Sequence, residues 1–439
     1  MRYSALRLIL LSALAVAACS PDSSPTDPGG IPTGAAKAWS DPATWPSGAV
    51  PVQGDSVVIP EGTTVRLDVS PPALQSLTVR GSLVFANTDL SLTSGWVVVI
   101  GALQVGTENS PYTHRAVITL TGTGAANNPS VYGMGNKVLG VSGRIELHGQ
   151  TRKGWTRLSQ TAAAGATTIE LVTNPGWKAG DRLVLASSDY SPDKTDEAVV
   201  ASVSGRTLTL SAPLKYEHYG DVVTVSGVTV DERAEVGLLS RNITIQGDTG
   251  STPGYGGHII ILGGATAHIE GVELFQMGQR GQLARYPMHW HMAGDVSGHY
   301  FRNNSVWRTF NRCVTVHGSD NSVVQDNVCY DHTGHGYFME DGAETGNLIE
   351  GNLGISSRVP SGTDRLLGSD SRPATFWITN PDNTIRGNVA AGSKGFGFWC
   401  AFPASPTGLS VGQPDLPRTT PLREFSANIA HSNNSGGLN

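Results

Sequence analysis

Helical periodicity is nearly absent from this chain, which excludes helical bundles and folds that alternate helix with strand. Charge is also scarce: Asp, Glu, Lys and Arg make up 15% of the sequence and sum to −6. A net negative chain of this kind is not a general nucleic-acid binder. Cysteine is rare, and past Cys19 only Cys313, Cys329 and Cys400 remain. Three cysteines cannot all pair within the chain, and none shows Cys-x-x-Cys spacing, so buried and inert thiols are expected. Beyond residue 18 no segment is long and apolar enough to cross a bilayer.

The N-terminus carries address information. Arg2 and Arg7 precede an apolar run, Leu8 to Ala18, that is too short to span a membrane. It closes on Val16-Ala17-Ala18-Cys19, which resembles the lipobox of bacterial lipoproteins. That resemblance implies a signal peptide over 1–19, cleavage before Cys19, and a lipid on its thiol. Ser20 in place of Asp implies sorting to the outer membrane or cell surface; a plain secretory signal is the alternative. Residues 20–37, rich in Pro, Ser, Asp and Gly, read as a flexible tether.

Glycine is plentiful, with 54 residues, as in all-β chains with many tight turns. In the first half, period-2 alternation flanks Gly62, Gly81 and Gly101, and recurs around Gly143. Alternation repeating about every 20 residues marks stacked β-rungs. The second half repeats around Asn304, Asn327, Asn352 and Asn388. Stacked Asn amides can bond from rung to rung along an inner turn. Between the two sets, about 155–225 holds short strands with Gly-Asp and Ser-Gly turns and reads as a small β-barrel. The expected fold is all-β: a parallel β-helix with a small inserted barrel. The expected division is N-terminal rungs over 38–124, connecting rungs with the barrel over 125–250, and the second repeat set over 251–439.

Reactive side chains concentrate between Arg285 and Gly342. The segments are Arg285-Tyr-Pro-Met-His289-Trp-His291, Asn311-Arg312-Cys-Val-Thr-Val-His317-Gly and Gly334-His335-Gly-Tyr-Phe-Met-Glu340-Asp341-Gly. Strands usually give such positions to Val, Ile and Thr. Counting back from the Asn repeats aligns His289, Val314, Phe338 and Trp377 in one outward column and His291, Val316 and Glu340 in the next. His317 and Asp341 then fall at the adjoining turn. In this register His291 and Glu340 are two rungs, roughly 10 Å, apart, which leaves room for a sugar ring or a water between an acid and a base. Glu340, Asp341, His289 and His291 are the catalytic candidates. Arg285, Arg312, His317, His335 and Trp377 are the substrate-binding candidates. Arg285 and Arg312 could instead be ion-pair partners of Asp295 and Glu340, and the His-x-His pair could ligate a metal with Asp341 or Glu340. From Gln276 to Arg312 five arginines face one aspartate, a local excess of positive charge suited to an anionic ligand.

These residues also carry a resemblance. Trp39-Ser-Asp-Pro-Ala-Thr-Trp45 with the spaced glycines is similar to the G8 (eight-glycine) domain. The stretch Asp231–Asn242, the segments just quoted, Thr375-Phe-Trp377 and Pro406-Thr-Gly408 resemble, in order, the family of the cell migration-inducing hyaluronan-binding protein and its transmembrane paralogue. The resemblance implies a right-handed β-helix and hydrolytic depolymerisation of hyaluronan. It implies calcium dependence for the membrane-anchored member and further rungs beyond Asn439. Where the family has a His-His pair, this chain has Pro403-Ala404. The resulting expectation is a surface enzyme that hydrolyses hyaluronan or a similar anionic glycan by acid–base catalysis, bound to the membrane only by its lipid. A polysaccharide lyase and a non-catalytic glycan-binding lipoprotein are the alternatives.

Overall fold

The structure is a computed structural model describing residues 31, 36–123, 130–248 and 253–439. The signal segment and Cys19 lie outside the described residues. Three parallel sheets form the faces of a β-helix, two of eleven strands and one of nine. Each rung contributes one strand to each face, and successive rungs pair in parallel register. Among the described residues there is no α-helix, so no helix is long and apolar enough to cross a membrane.

The glycine repeat has a steric cause. Gly81, Gly101 and Gly143 stack at one corner, and a Cβ at Gly101 or Gly143 would collide with the carbonyl oxygen of the glycine one rung before. Inward residues such as Ile59, Val79, Val99, Val141, Ile261 and Trp290 fill a continuous core. The asparagine repeat closes another corner: the Asn304 N–H donates to Asn327 Oδ1 at 2.9 Å, Asn327 to Asn352 at 3.0 Å and Asn352 to Asn388 at 3.0 Å. The ladder continues to Asn428. Asn352 is fully buried and also donates its amide to Val324 O. Asn352→Ala should therefore strand several buried backbone and amide groups, each at about 1–3 kcal/mol. A measurable fall in the denaturant midpoint is expected, and no change in midpoint would contradict the ladder.

The inserted unit is an antiparallel six-stranded sheet from Trp155–Arg157 to Glu235–Leu238. A bridge between Leu158 and Leu171 joins its ends, closing it as a small barrel around its own core. The barrel rests on the nine-stranded face, where the Trp155 indole donates to Gly351 O and His431 meets Glu235 at 2.9 Å. The solenoid runs on past it: Ala116–Leu120 pairs directly with Ile243–Gly247.

Cys313 and Cys329 form a disulfide, and Cys400 is free. This corrects the expectation of three inert thiols. Cys313 and Cys329 both point into the solenoid core, where their Cα atoms lie 6.3 Å apart, within bridging range.

Candidate active site

The reactive segments are neighbouring strands of one eleven-stranded face. In order they are His258–Ile261, Met288–Asp295, Val314–Asp320, Tyr337–Met339, Ala374–Ile378 and Phe396–Cys400. The observed register places Met288 beside Val314 and Tyr337, and His289 beside Thr315 and Phe338. His291 pairs with His317. The expected register is therefore wrong by one residue in the 313–317 rung. The cause is a bulge at Met292–Ala293, where the pairing steps from His291↔His317 to Gly294↔Ser319. A constant offset carried across this bulge puts Val314 opposite His289, whereas Phe338 and Trp377 stand in the His289 column as expected.

The shift moves His317 from the turn into the centre of the site. Its Nδ1 lies 3.2 Å from His291 Nδ1 and 3.6 Å from Glu340 Oε2, while Nε2 meets Asp341 Oδ2 at 2.8 Å. The gap expected between His291 and Glu340 is thus occupied by an imidazole, not left for a sugar or a water. The ring of His289 is parallel to that of His317 at 5.7 Å and edge-on to that of His291 at 4.9 Å. One nitrogen from each of the three histidines falls within 4.8 Å of the others.

The electrostatics separate these groups. Burial, with His291 and His317 beside it, holds His289 well below the usual histidine range. Burial and then His317 bring His291 down to about 4. For His317 burial acts in the same direction, but the Asp341 bond and the Glu340 charge override it and raise the pKa. Glu340 is pushed up to about 7, chiefly by burial, against the pull of His317. Its Oε1 accepts from the Tyr286 hydroxyl at 3.3 Å, and its Oε2 has no hydrogen-bond donor. A carboxyl in this state can give or take a proton near neutral pH.

Asp341 is held from several sides. Its Oδ2 accepts from the Ser410 N–H at 3.1 Å, and its carbonyl oxygen accepts from the Thr407 N–H at 2.9 Å. Gly408 lies so close that a Cβ would strike the Asp341 carboxylate, and its φ of +57° suits glycine. The Pro406-Thr-Gly408 motif is thus a backbone clamp on Asp341. Glu344, fully buried, accepts the N–H groups of Gly318, Asp341 and Gly342 and fixes the turn after Glu340.

Arg312 and His335 do not face a ligand. Arg312 is 1% exposed and pairs with Asp370 through both terminal nitrogens, so it anchors the 360–373 loop and does not clamp substrate. Neither of the two carboxylates expected as its partner, Asp295 or Glu340, is the one it binds. His335 Nδ1 accepts from the Ala374 N–H at 2.9 Å and Nε2 reaches Ser369 Oγ at 3.0 Å, a satisfied neutral ring beneath Trp377. Arg285 is half-buried, and no carboxylate pairs with it among the described residues; its guanidinium donates one long bond, to Gly133 O. Trp377 and Trp399 lie 5.1 Å apart with their rings tilted by 57°, both partly exposed, and continue the face beyond Phe338.

Tyr286, Trp399, Glu344, Asp370 and Ser410 were not among the candidates. Trp399 had a signal, since Phe398-Trp399 repeats Phe376-Trp377 one rung on. Asp370 had none, because its role depends on a loop folding back over a strand 58 residues away.

Comparison with known proteins gives the family of the chain. The G8 domain model matches residues 44–159, and the CEMIP β-helix model matches 254–438. The chain belongs to the family that joins a G8 domain to a CEMIP-type β-helix. Mouse fibrocystin-L is 38% identical over 453 residues, covering 92% of this chain and 10% of that protein. Human cell migration-inducing and hyaluronan-binding protein is 37% identical over 322 residues, covering 62% of this chain and 23% of that protein. The chain thus spans a small part of both relatives. The tailspike protein gp49 from Pseudomonas phage LKA1 aligns with 90% of this chain and 69% of its own, at 13% identity and a TM-score of 0.20. A superposition that loose carries nothing about the site.

Two concavities of about 600 and 810 Å³ lie at the barrel, away from the histidines. His291, Glu340, Trp377 and Trp399 are partly exposed on stacked rungs of this face, a row that suits a polymer better than a small molecule.

Proposed function

We propose that this face binds an anionic polysaccharide of the hyaluronan class and cleaves it hydrolytically, with Glu340 as the proton-transferring group. The observation that carries the reading is the position of Glu340. It is a largely buried carboxylate with one oxygen lacking a donor, flanked by the Asp341–His317 pair on one side and by Phe338, Trp377 and Trp399 on the other. Flat indole faces match the apolar faces of sugar rings, and Arg285, without a carboxylate partner, supplies a cation for a uronate. The name of the hyaluronan-binding relative supports the same substrate class. The lyase alternative is weakened because Arg312, an obvious candidate to neutralise a uronate, is already paired with Asp370.

In hydrolysis, water adds across the glycosidic bond. One side chain protonates the leaving oxygen as the attacking water loses a proton to another base. In this reading Glu340 takes the first role. Incubation with hyaluronan, other acidic glycans and a neutral glycan tests the reading: shortening of an acidic polymer alone is expected, and equal cleavage of the neutral one would contradict the charge argument.

The N-terminal motif supports display on a bacterial surface through lipid on Cys19. Cys19→Ala should abolish labelling by a fatty-acid precursor and release the chain from the membrane fraction. Retention of both would refute the anchor.

A further inference from the structure

The family resemblance implies calcium, but the central donor set does not suit it. Calcium takes six to eight oxygen ligands, whereas this cluster offers three imidazoles. Among the described residues the two groups of three close ligating side chains are His289, His291 and His317, and Cys313, Cys329 and His332. The second contains the disulfide and has no thiolates to offer.

We propose that His289, His291 and His317 bind one transition-metal ion of the zinc class, with Asp341 orienting His317 from behind. The site itself rests on donor geometry; its link to catalysis rests on the glycan reading above. Four observations converge on it. Zinc–nitrogen bonds of roughly 2 Å at tetrahedral angles separate ligand nitrogens by roughly 3.3 Å. His291 Nδ1 and His317 Nδ1 stand 3.2 Å apart. His289 is fully buried, yet its ring nitrogens make no hydrogen bond of ordinary geometry and have only the Ala284 backbone close by, a state native folds avoid unless something else satisfies it.

His317 Nε2 is held by Asp341 at 2.8 Å, the carboxylate–histidine arrangement that fixes a metal-binding ring and leaves its other nitrogen free to ligate. Finally, the strand geometry produces the cluster without strain. His289 and His291 alternate on one strand, so both point outward, and His317 arrives from the next rung about 4.8 Å away.

Three protein ligands leave a fourth position, as in catalytic rather than structural zinc sites. Around the cluster, His291, Glu340 and Arg285 reach partial exposure, and of these Glu340 supplies the carboxylate, its Oε2 3.6 Å from His317 Nδ1. The open position therefore faces Glu340, where a water or a sugar oxygen would sit against the carboxylate.

The test uses the full chain with Zn²⁺ or Co²⁺ alone and no glycan. Elemental analysis after dialysis should give one zinc per chain, and Co²⁺ should produce the intense visible bands of a tetrahedral site. His291→Ala, at a partly exposed position that should tolerate truncation, is expected to lose the bands. Asp341→Asn should weaken metal affinity about 10- to 100-fold. His114→Ala, at an exposed site on another rung, should behave as the parent chain. Excess Ca²⁺ should not displace the zinc. Substoichiometric metal in the parent, bands that survive His291→Ala, or displacement by calcium would each overturn the proposal. Stoichiometric metal in a chain that leaves every glycan intact would sink the glycan reading and spare this one; glycan cleavage by a chain that binds no added zinc would spare the glycan reading and sink this one.

Discussion

Glu340→Gln should lower polysaccharide cleavage by about 10²- to 10⁴-fold while leaving the fold intact, the range expected when a positioned proton donor is removed. The substitution keeps the side chain's size, and the new amide oxygen can still accept from the Tyr286 hydroxyl at its 3.3 Å contact. What it removes is the ability to give and take a proton. Substrate binding should change little, because the aromatic strip and Arg285 are untouched. The check is the rate of polymer shortening at saturating glycan, with circular dichroism as the control for folding. A variant retaining more than half the parent rate would remove Glu340 from the chemistry.

The second large effect is on stability. Arg312→Met should destabilise the chain by about 3–5 kcal/mol, because it leaves Asp370 buried without its cation. Arg312 and Asp370 are 1% and 0% exposed, and Asp370 also accepts the Leu366 and Leu367 N–H groups at 2.9 Å each. Burial alone would raise the Asp370 pKa, yet Arg312 holds it below the usual carboxylate value. The double variant Arg312→Met/Asp370→Leu should recover much of the loss, since removing both charges abolishes the unpaired one. Denaturant unfolding of the full chain reads both. Equal destabilisation in the single and double variants would mean that packing of the 360–373 loop, and not charge, is what the pair supplies.

The rungs, the asparagine ladder and the barrel were legible in the sequence because each follows from a local rule. Alternation with period 2 gives strands, and the steric limit at a corner gives Gly81, Gly101 and Gly143. Amide-to-amide bonding gives the spacing of Asn304 to Asn388. The outward direction of His289, His291, Phe338 and Trp377 followed from the same alternation. What the sequence did not reveal was register across the bulge at Met292–Ala293, which decides whether His317 lies beside His291 or at a turn. A bulge changes the count by one without leaving any residue type that marks it. The partners of Arg312 and Asp341 were hidden for a related reason. Asp370 and Ser410 reach them from loops that fold back from 58 and 69 residues away. The disulfide likewise depends on the closure of one turn of the solenoid, which brings Cys313 and Cys329 together inside the core.

The central claim is hydrolysis at the Glu340 strip, and the most direct measurement follows the products of hyaluronan incubated with the full chain. Chain length and ultraviolet absorbance are recorded together. The account predicts shortening with new reducing ends and no rise in absorbance, lost in Glu340→Gln. Shortening accompanied by the absorbance of an unsaturated uronate would contradict it and assign the site to a lyase.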